Sequence, residues 1–193
     1  MKDFTPTAEQ ISLHGLGFIQ VKLPANRRLH VWHPDLPRRT CYAWSSIHNH
    51  RFAFRSTVLI GSQANRRCIV AAAENGSHDR VSHDGPRSEK GGRQSYVAEQ
   101  VNVWPGQVEQ HGPGQSYIMQ ALEYHDTPNS GVVVTLMEKL REGDVHASSL
   151  IEHGRDFDQG FDRFQLDAAA LWAVVVDALK HSAGVDVAKV LAA

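Results

Sequence analysis

Over most of its length the chain alternates apolar with polar residues. Gly17-Phe18-Ile19-Gln20-Val21-Lys22-Leu23 carries the period-two pattern of a strand with one face buried. Leu29-His30-Val31-Trp32 repeats it and stops at His33-Pro34. Further β-type runs span Cys41–Ile47, Ser56–Ile60, Arg67–Ala71, Gln94–Trp104 (closed by Pro105-Gly106), Ser116–Gln120 and Val132–Met137. Pro and Gly fall between these runs, where turn chemistry places them. Short, spaced strands with no intervening helices predict an all-β sandwich or barrel rather than alternating β and α units.

Two stretches depart from the pattern. Glu74–Gly92 is rich in Gly, Ser, His, Asp, Arg and Lys and carries no apolar face, which predicts an exposed loop between strands. From about Leu166 the period becomes helical. Leu166, Ala169, Ala170, Leu171, Val174, Val175 and Leu179 form a broad apolar stripe, preceded by Asp162 and ending near Ser182-Ala183-Gly184. A second short helix is predicted over Val185–Leu191. These helices either cap the barrel or pack against a second subunit. No internal repeat or linker divides the chain. The expectation is one domain over residues 1–193, with a barrel core over about 16–140 and a helical extension over about 163–193.

Composition narrows the function classes. A chain of 193 residues with 41% apolar and 21% charged residues suits one soluble globular core. The formal net charge is −1, with Lys and Arg scattered along the sequence, unlike the concentrated basic footprint of a nucleic-acid binder. No window approaches the roughly 18 consecutive apolar residues of a membrane span. Met1-Lys2-Asp3-Phe4-Thr5 lacks the apolar core of a signal peptide. Cys41 and Cys68 form no CxxC pair, which points to buried strand thiols and a reducing, cytoplasmic location. The twelve histidines are the unusual feature.

His48-Asn49-His50 ends a β-type run. Residues i and i+2 of a strand project from one face, so both imidazoles can reach one ion. By the same parity Trp44, Ser46, Phe52 and Phe54 face inward with them, and Arg51 and Arg55 point outward. The surrounding residues resemble the cupin superfamily. In its first motif an HXH pair is followed by an acid and then a closing glycine. Here His48 and His50 fill the pair, Phe54 occupies the acid's place and Gly61 is the closing glycine, while Tyr42 stands where the opening glycine would be. In the second motif Gly114, His125 and Asn129 match in register, while Gln120 and Leu122 replace the proline and second glycine. The resemblance covers roughly Leu29 to Glu138. It implies a double-stranded β-helix, or jelly roll, holding one divalent metal on His48, His50 and His125, and a homodimer.

Three neutral imidazoles with no carboxylate leave an ion under-neutralised and with open positions, which favours an anionic ligand binding to it. Cysteine dioxygenase-like cupins use a three-histidine iron site of this type. The resemblance therefore implies a non-haem iron dioxygenase-like enzyme acting on a small organic acid or thiol. A zinc- or nickel-dependent isomerase or hydrolase, or a non-catalytic metal- and ligand-binding module, would use the same site; manganese and copper also suit it. Glu123, two residues before His125, reads either as a fourth ligand or as a surface residue beside a turn. His111 reads as a further ligand or a solvated loop residue, and His78 and His83 as surface residues or parts of a lid. Phe54 and Trp44 read as pocket walls or barrel core, and Tyr117 and Met119 as pocket residues. The HNH nuclease and metallo-β-lactamase readings of the pair lack their accompanying residues, and an amidohydrolase site usually needs a far larger barrel. The partner expected is a small molecule, with no nucleic acid and no membrane.

Overall fold

The computed structural model describes residues 6–143 and 145–180. The period-two runs become strands, every pair of which is antiparallel. In chain order they are β1 (Ile11–His14), β2 (Phe18–Leu23), β3 (Arg27–Trp32), β4 (Phe52–Ile60), β5 (Gln63–Ala72) and β6 (His78–Ser82). Then come β7 (Tyr96–His111), β8 (Ser116–Met119), β9 (Tyr124–Asp126), β10 (Val133–Glu142) and β11 (Ser148–Glu152), followed by helix α1 (Ala168–Lys180). One sheet has the order β1-β2-β3-β10-β4-β8 and the other β11-β6-β7-β5-β9, so the chain is a curled antiparallel sandwich. No helix among the described residues is long and apolar enough to cross a membrane.

The alternation sorts the six-stranded sheet into two unlike faces. Ile19, Val21, Leu29, Val31 and Val134 point to the outside of the sandwich, where Leu171, Val175, Ala178 and Leu179 of α1 cover them. Asp167 starts that helix as its N-cap, accepting the Ala170 amide on its carboxylate at 2.7 Å. The helix therefore packs on its own chain. Its buried stripe is narrower than predicted, with Ala169 and Ala170 exposed. The second predicted helix lies outside the described residues. The other face of the same strands carries Phe18, Gln20, Arg28, His30, Phe52 and Met137 into the space between the sheets. The largest apolar core thus sits under α1, and the space between the sheets carries polar and charged side chains beside smaller apolar clusters such as Phe52, Phe54, Tyr117, Met119 and Met137.

The five-stranded sheet closes on itself through residues 47–49. His48 and His125 of β9 exchange backbone hydrogen bonds of 2.9 Å in both directions. On the other side Asn49 donates to the Ser148 carbonyl at 2.9 Å and Leu150 donates to that of Ile47 at 2.8 Å, reaching β11. Both edges of the sheet are satisfied by one short segment.

Four expectations need correction. Cys41–Ile47 is not a strand: Tyr42–Trp44 forms a 3-10 turn whose amides bond locally, Tyr42 to Arg39 and Trp44 to Cys41. Cys41 is buried there outside any strand, whereas Cys68 lies buried in β5. The predicted loop Glu74–Gly92 contains β6. Its buried residues are Val81 and Asp79, and Asp79 accepts a hydrogen bond from His153 Nδ1 at 2.8 Å, so half of its inward pattern is polar. Strand β7 continues through Pro105-Gly106, because a register shift opposite Arg66 and Cys68 absorbs the missing proline amide.

The two motif glycines have different constraints. Gly61 has φ +77°, and a Cβ there would lie 2.3 Å from the Val132 carbonyl oxygen; Gly114 has φ +82° with nothing within 4 Å. Gly114→Ala is expected to cost about 1 kcal/mol from the left-handed backbone alone. Gly61→Ala adds a backbone clash and should cost clearly more, on the order of 2–4 kcal/mol. Urea unfolding of both variants checks the order.

Candidate metal centre

Past the closure segment the chain enters β4, and parity continues across the junction. His50, Phe52 and Phe54 follow His48 into the interior, while Arg51 and Arg55 are exposed, as predicted. Strand β9 brings His125 opposite. The ring centroids of His48 and His50 are 4.9 Å apart, those of His48 and His125 4.7 Å, and those of His50 and His125 5.3 Å. One nitrogen from each of the three lies within 4.8 Å of the others, and no carboxylate or thiol among the described residues joins the group.

Outer hydrogen bonds orient two of these rings. The Ser46 carbonyl can only accept, so His48 Nδ1 donates to it at 2.9 Å and its Nε2 lone pair is left free. His125 Nδ1 donates to Asn65 Oδ1 at 2.7 Å, which leaves its Nε2 bare as well, 3.2 Å from Nε2 of His50. Burial lowers the pKa of all three, His50 and His125 well below the usual histidine value, so the rings are neutral at neutral pH. Neutral, oriented, converging imidazoles suit a divalent transition-metal ion.

The chain matches no family model, no curated protein and no solved structure.

Other residues singled out by sequence take varied places. Phe54 is buried edge-on to His50 at 5.0 Å, and Tyr117 lies 6.3 Å behind Phe54. Met119, also buried, pairs with Phe54 across the strands. Glu123 turns away from the histidines. It pairs with Arg67, which also holds Glu109 at 3.1 Å, and it accepts the Gln120 amide at 3.0 Å. Strand β9 begins only at Tyr124, after a turn with Leu122 at φ +64°, so Glu123 lies outside the strand and its two-residue spacing from His125 does not mean a shared face. His111 ends β7, stacked on Tyr117 at 4.8 Å, and is neither a ligand beside the three nor a solvated loop residue. Trp44 sits instead among Cys41, Val81, Ile151 and Phe157, under Arg155. His78 contacts Ser77 on the surface. His83 bonds Ser149 Oγ at 2.8 Å and borders the interior cavity.

Two features were missed. Asn65, buried in β5, holds His125, and the motif residue Asn129 in turn pins that strand. Asn129 accepts the Ala64 amide at 2.8 Å and donates to Gln63 at 3.1 Å. The signal was the register-matched Asn129, whose partner sequence could not supply. The second is a cavity of about 640 Å³ that reaches His50.

Asn65→Ala should weaken metal affinity about 10- to 100-fold by freeing the His125 ring. Competition with a chelating dye measures it. Burial also lowers the pKa of His14, His30 (to about 3) and His83 (to about 4). Each such group stays neutral in the fold and protonates near 6.5 when unfolded. The unfolded chain therefore takes up more protons below about pH 6.5. Stability should be full above that pH and fall steadily toward pH 4, seen as a declining urea midpoint. A flat profile would contradict the burial of these rings.

Proposed function

We propose that this chain is a cupin-like, metal-dependent enzyme, most closely a non-haem iron dioxygenase-like protein acting on a small organic acid or thiol. The observation that carries the reading is the convergence of His48, His50 and His125, without a carboxylate, beside a cavity of ligand size. These three residues would hold the ion. A divalent iron bound there would supply redox and Lewis-acid chemistry at positions the protein leaves open.

The chain's own residues define the rest. Ser46 and Asn65 set the direction of two imidazoles. Phe54 stands where the resemblance would place an acid, so it adds no negative charge and walls the site with an apolar ring against His50. Phe52, 5.3 Å from His50, extends that wall and helps exclude water from one side. Access lies on the His50 side, because His50 lines the cavity and the other two histidines do not. The reading includes the jelly-roll form of the sandwich, a homodimer and a cytoplasmic location.

Metal analysis of protein purified without a nickel column, wild type and His48→Ala/His125→Ala, tests the proposal. Stoichiometric iron in the wild type, lost in the double variant, together with oxygen uptake on addition of small acids or thiols, is the expected result. Stoichiometric zinc with no oxygen uptake would replace the dioxygenase with a hydrolase, isomerase or binding role. An absence of metal even after reconstitution would overturn the metal centre.

A further inference from the structure

The lysines and arginines are scattered in sequence but gathered in space. Of the chain's 20 Lys and Arg, eight line the cavity beside His50, against the carboxylates Glu9 and Asp158, although the formal net charge is −1. Arg28 comes from the inward face of β3, Arg39 from the segment after it, Arg163 from the stretch before α1, and Arg87 from the hairpin after β6. None of these four forms an ion pair among the described residues. Arg28 lies over the Phe52 ring and Arg39 over Phe157, while Arg163 donates to the Leu13 carbonyl and Ser12 Oγ.

Of the nearby acids, Glu142 and Asp158 have other partners, and Glu9 is exposed to solvent. Glu142 holds Arg51 and Lys139, and Asp158 accepts from the Thr40 amide and hydroxyl and from the Gly160 amide. Buried nitrogens on the cavity lining, His30 Nε2 and Arg39 Nε, have no hydrogen-bond partner among the described residues. Like charges brought together out of water with too few counter-charges, here eight cations against two carboxylates, are unfavourable unless something anionic completes them. In keeping with this, burial and then the neighbouring Arg87, Arg39 and Arg28 pull the Arg163 guanidinium down to about 10.

We infer that this cavity is a polyanion site. It takes a small acid bearing at least two negative charges on oxygen, as a phosphate ester or polycarboxylate. Arg28, Arg39 and Arg163 meet those charges inside, and Arg87 meets them at the mouth. Guanidinium forks suit such groups because they pair two N–H donors with two oxygens. The inference deepens the proposed function by naming the class of its acid, and it rests on that reading only for the ligand's contact with the metal. Of the two substrate types proposed there, it selects the acid over a simple thiol.

Calorimetric titration with inorganic phosphate and with citrate tests it, on wild type, Arg28→Gln, Arg163→Gln and His48→Ala/His125→Ala, each checked for fold and metal content. Saturable binding of at least one anion is expected, with the better probe separating phosphate from carboxylate ligands. Affinity should fall about tenfold or more in either arginine variant at unchanged metal content, and should survive in the double-histidine variant. If the half-buried Arg28 and Arg163 variants do not fold, exposed Arg87→Gln should still weaken binding several-fold. A wild type that binds neither anion overturns the site, as does binding indifferent to the arginines. Binding lost only with the histidines places the anion on the metal and overturns it too. Anion binding by a protein that holds no metal supports the site while removing the metal centre.

Discussion

The backbone hydrogen bonds of residues 47–49 hold the two edges of the five-stranded sheet together, and the rest of the site depends on them. His48 bonds to His125 on one side, and its neighbours bond to Ser148 and Leu150 on the other. An open edge would leave these amides and carbonyls to water or to another chain. Closure satisfies them and, in the same act, fixes the separation of the imidazoles of His48 and His125. The short distance between those rings follows from sheet pairing, so the centre is organised by backbone structure. Hydrogen bonds from the two rings to the Ser46 carbonyl and to Asn65 Oδ1 then set only the rotation of each ring.

A second consequence concerns where the apolar residues go. In the six-stranded sheet the strongly apolar face looks outward and is covered by α1, so the helix supplies the larger core. The interior face keeps a smaller apolar cluster around Phe54 and Met137 and is free to carry Gln20, Arg28 and His30 around a cavity. Holding cations and neutral histidines there is costly. Such a cost, concentrated beside three converging imidazoles, is the form in which binding sites trade stability for function. The three-histidine group and the cationic cavity meet at His50, the one histidine of the three that lines the cavity.

Much of the architecture was legible because period two and turn residues act locally. The runs around Phe18–Leu23, Leu29–Trp32 and Val133–Met137 needed no knowledge of partners, and parity alone directed His48, His50, Phe52 and Phe54 to one face. It failed where local pattern and burial part company. Strand β6 buries an aspartate, Pro105 is tolerated by a bulge in its own strand, and Cys41–Ile47 satisfies its amides in a turn despite a β-like composition. Glu123 has the spacing of a neighbour of His125, but it belongs to the turn ahead of β9 rather than to the strand.

The sequence by itself determined the all-β class, the spacing of the three histidines and the amphipathic final helix, since each depends on residues near one another along the chain. Only the tertiary structure decided that the helix would cover the outer face of a sheet and that Asn65 would hold His125. It alone decided that arginines from four separate segments would line one cavity. Those outcomes come from strand order and register, which bring residues dozens of positions apart into contact and leave no periodic trace in the sequence.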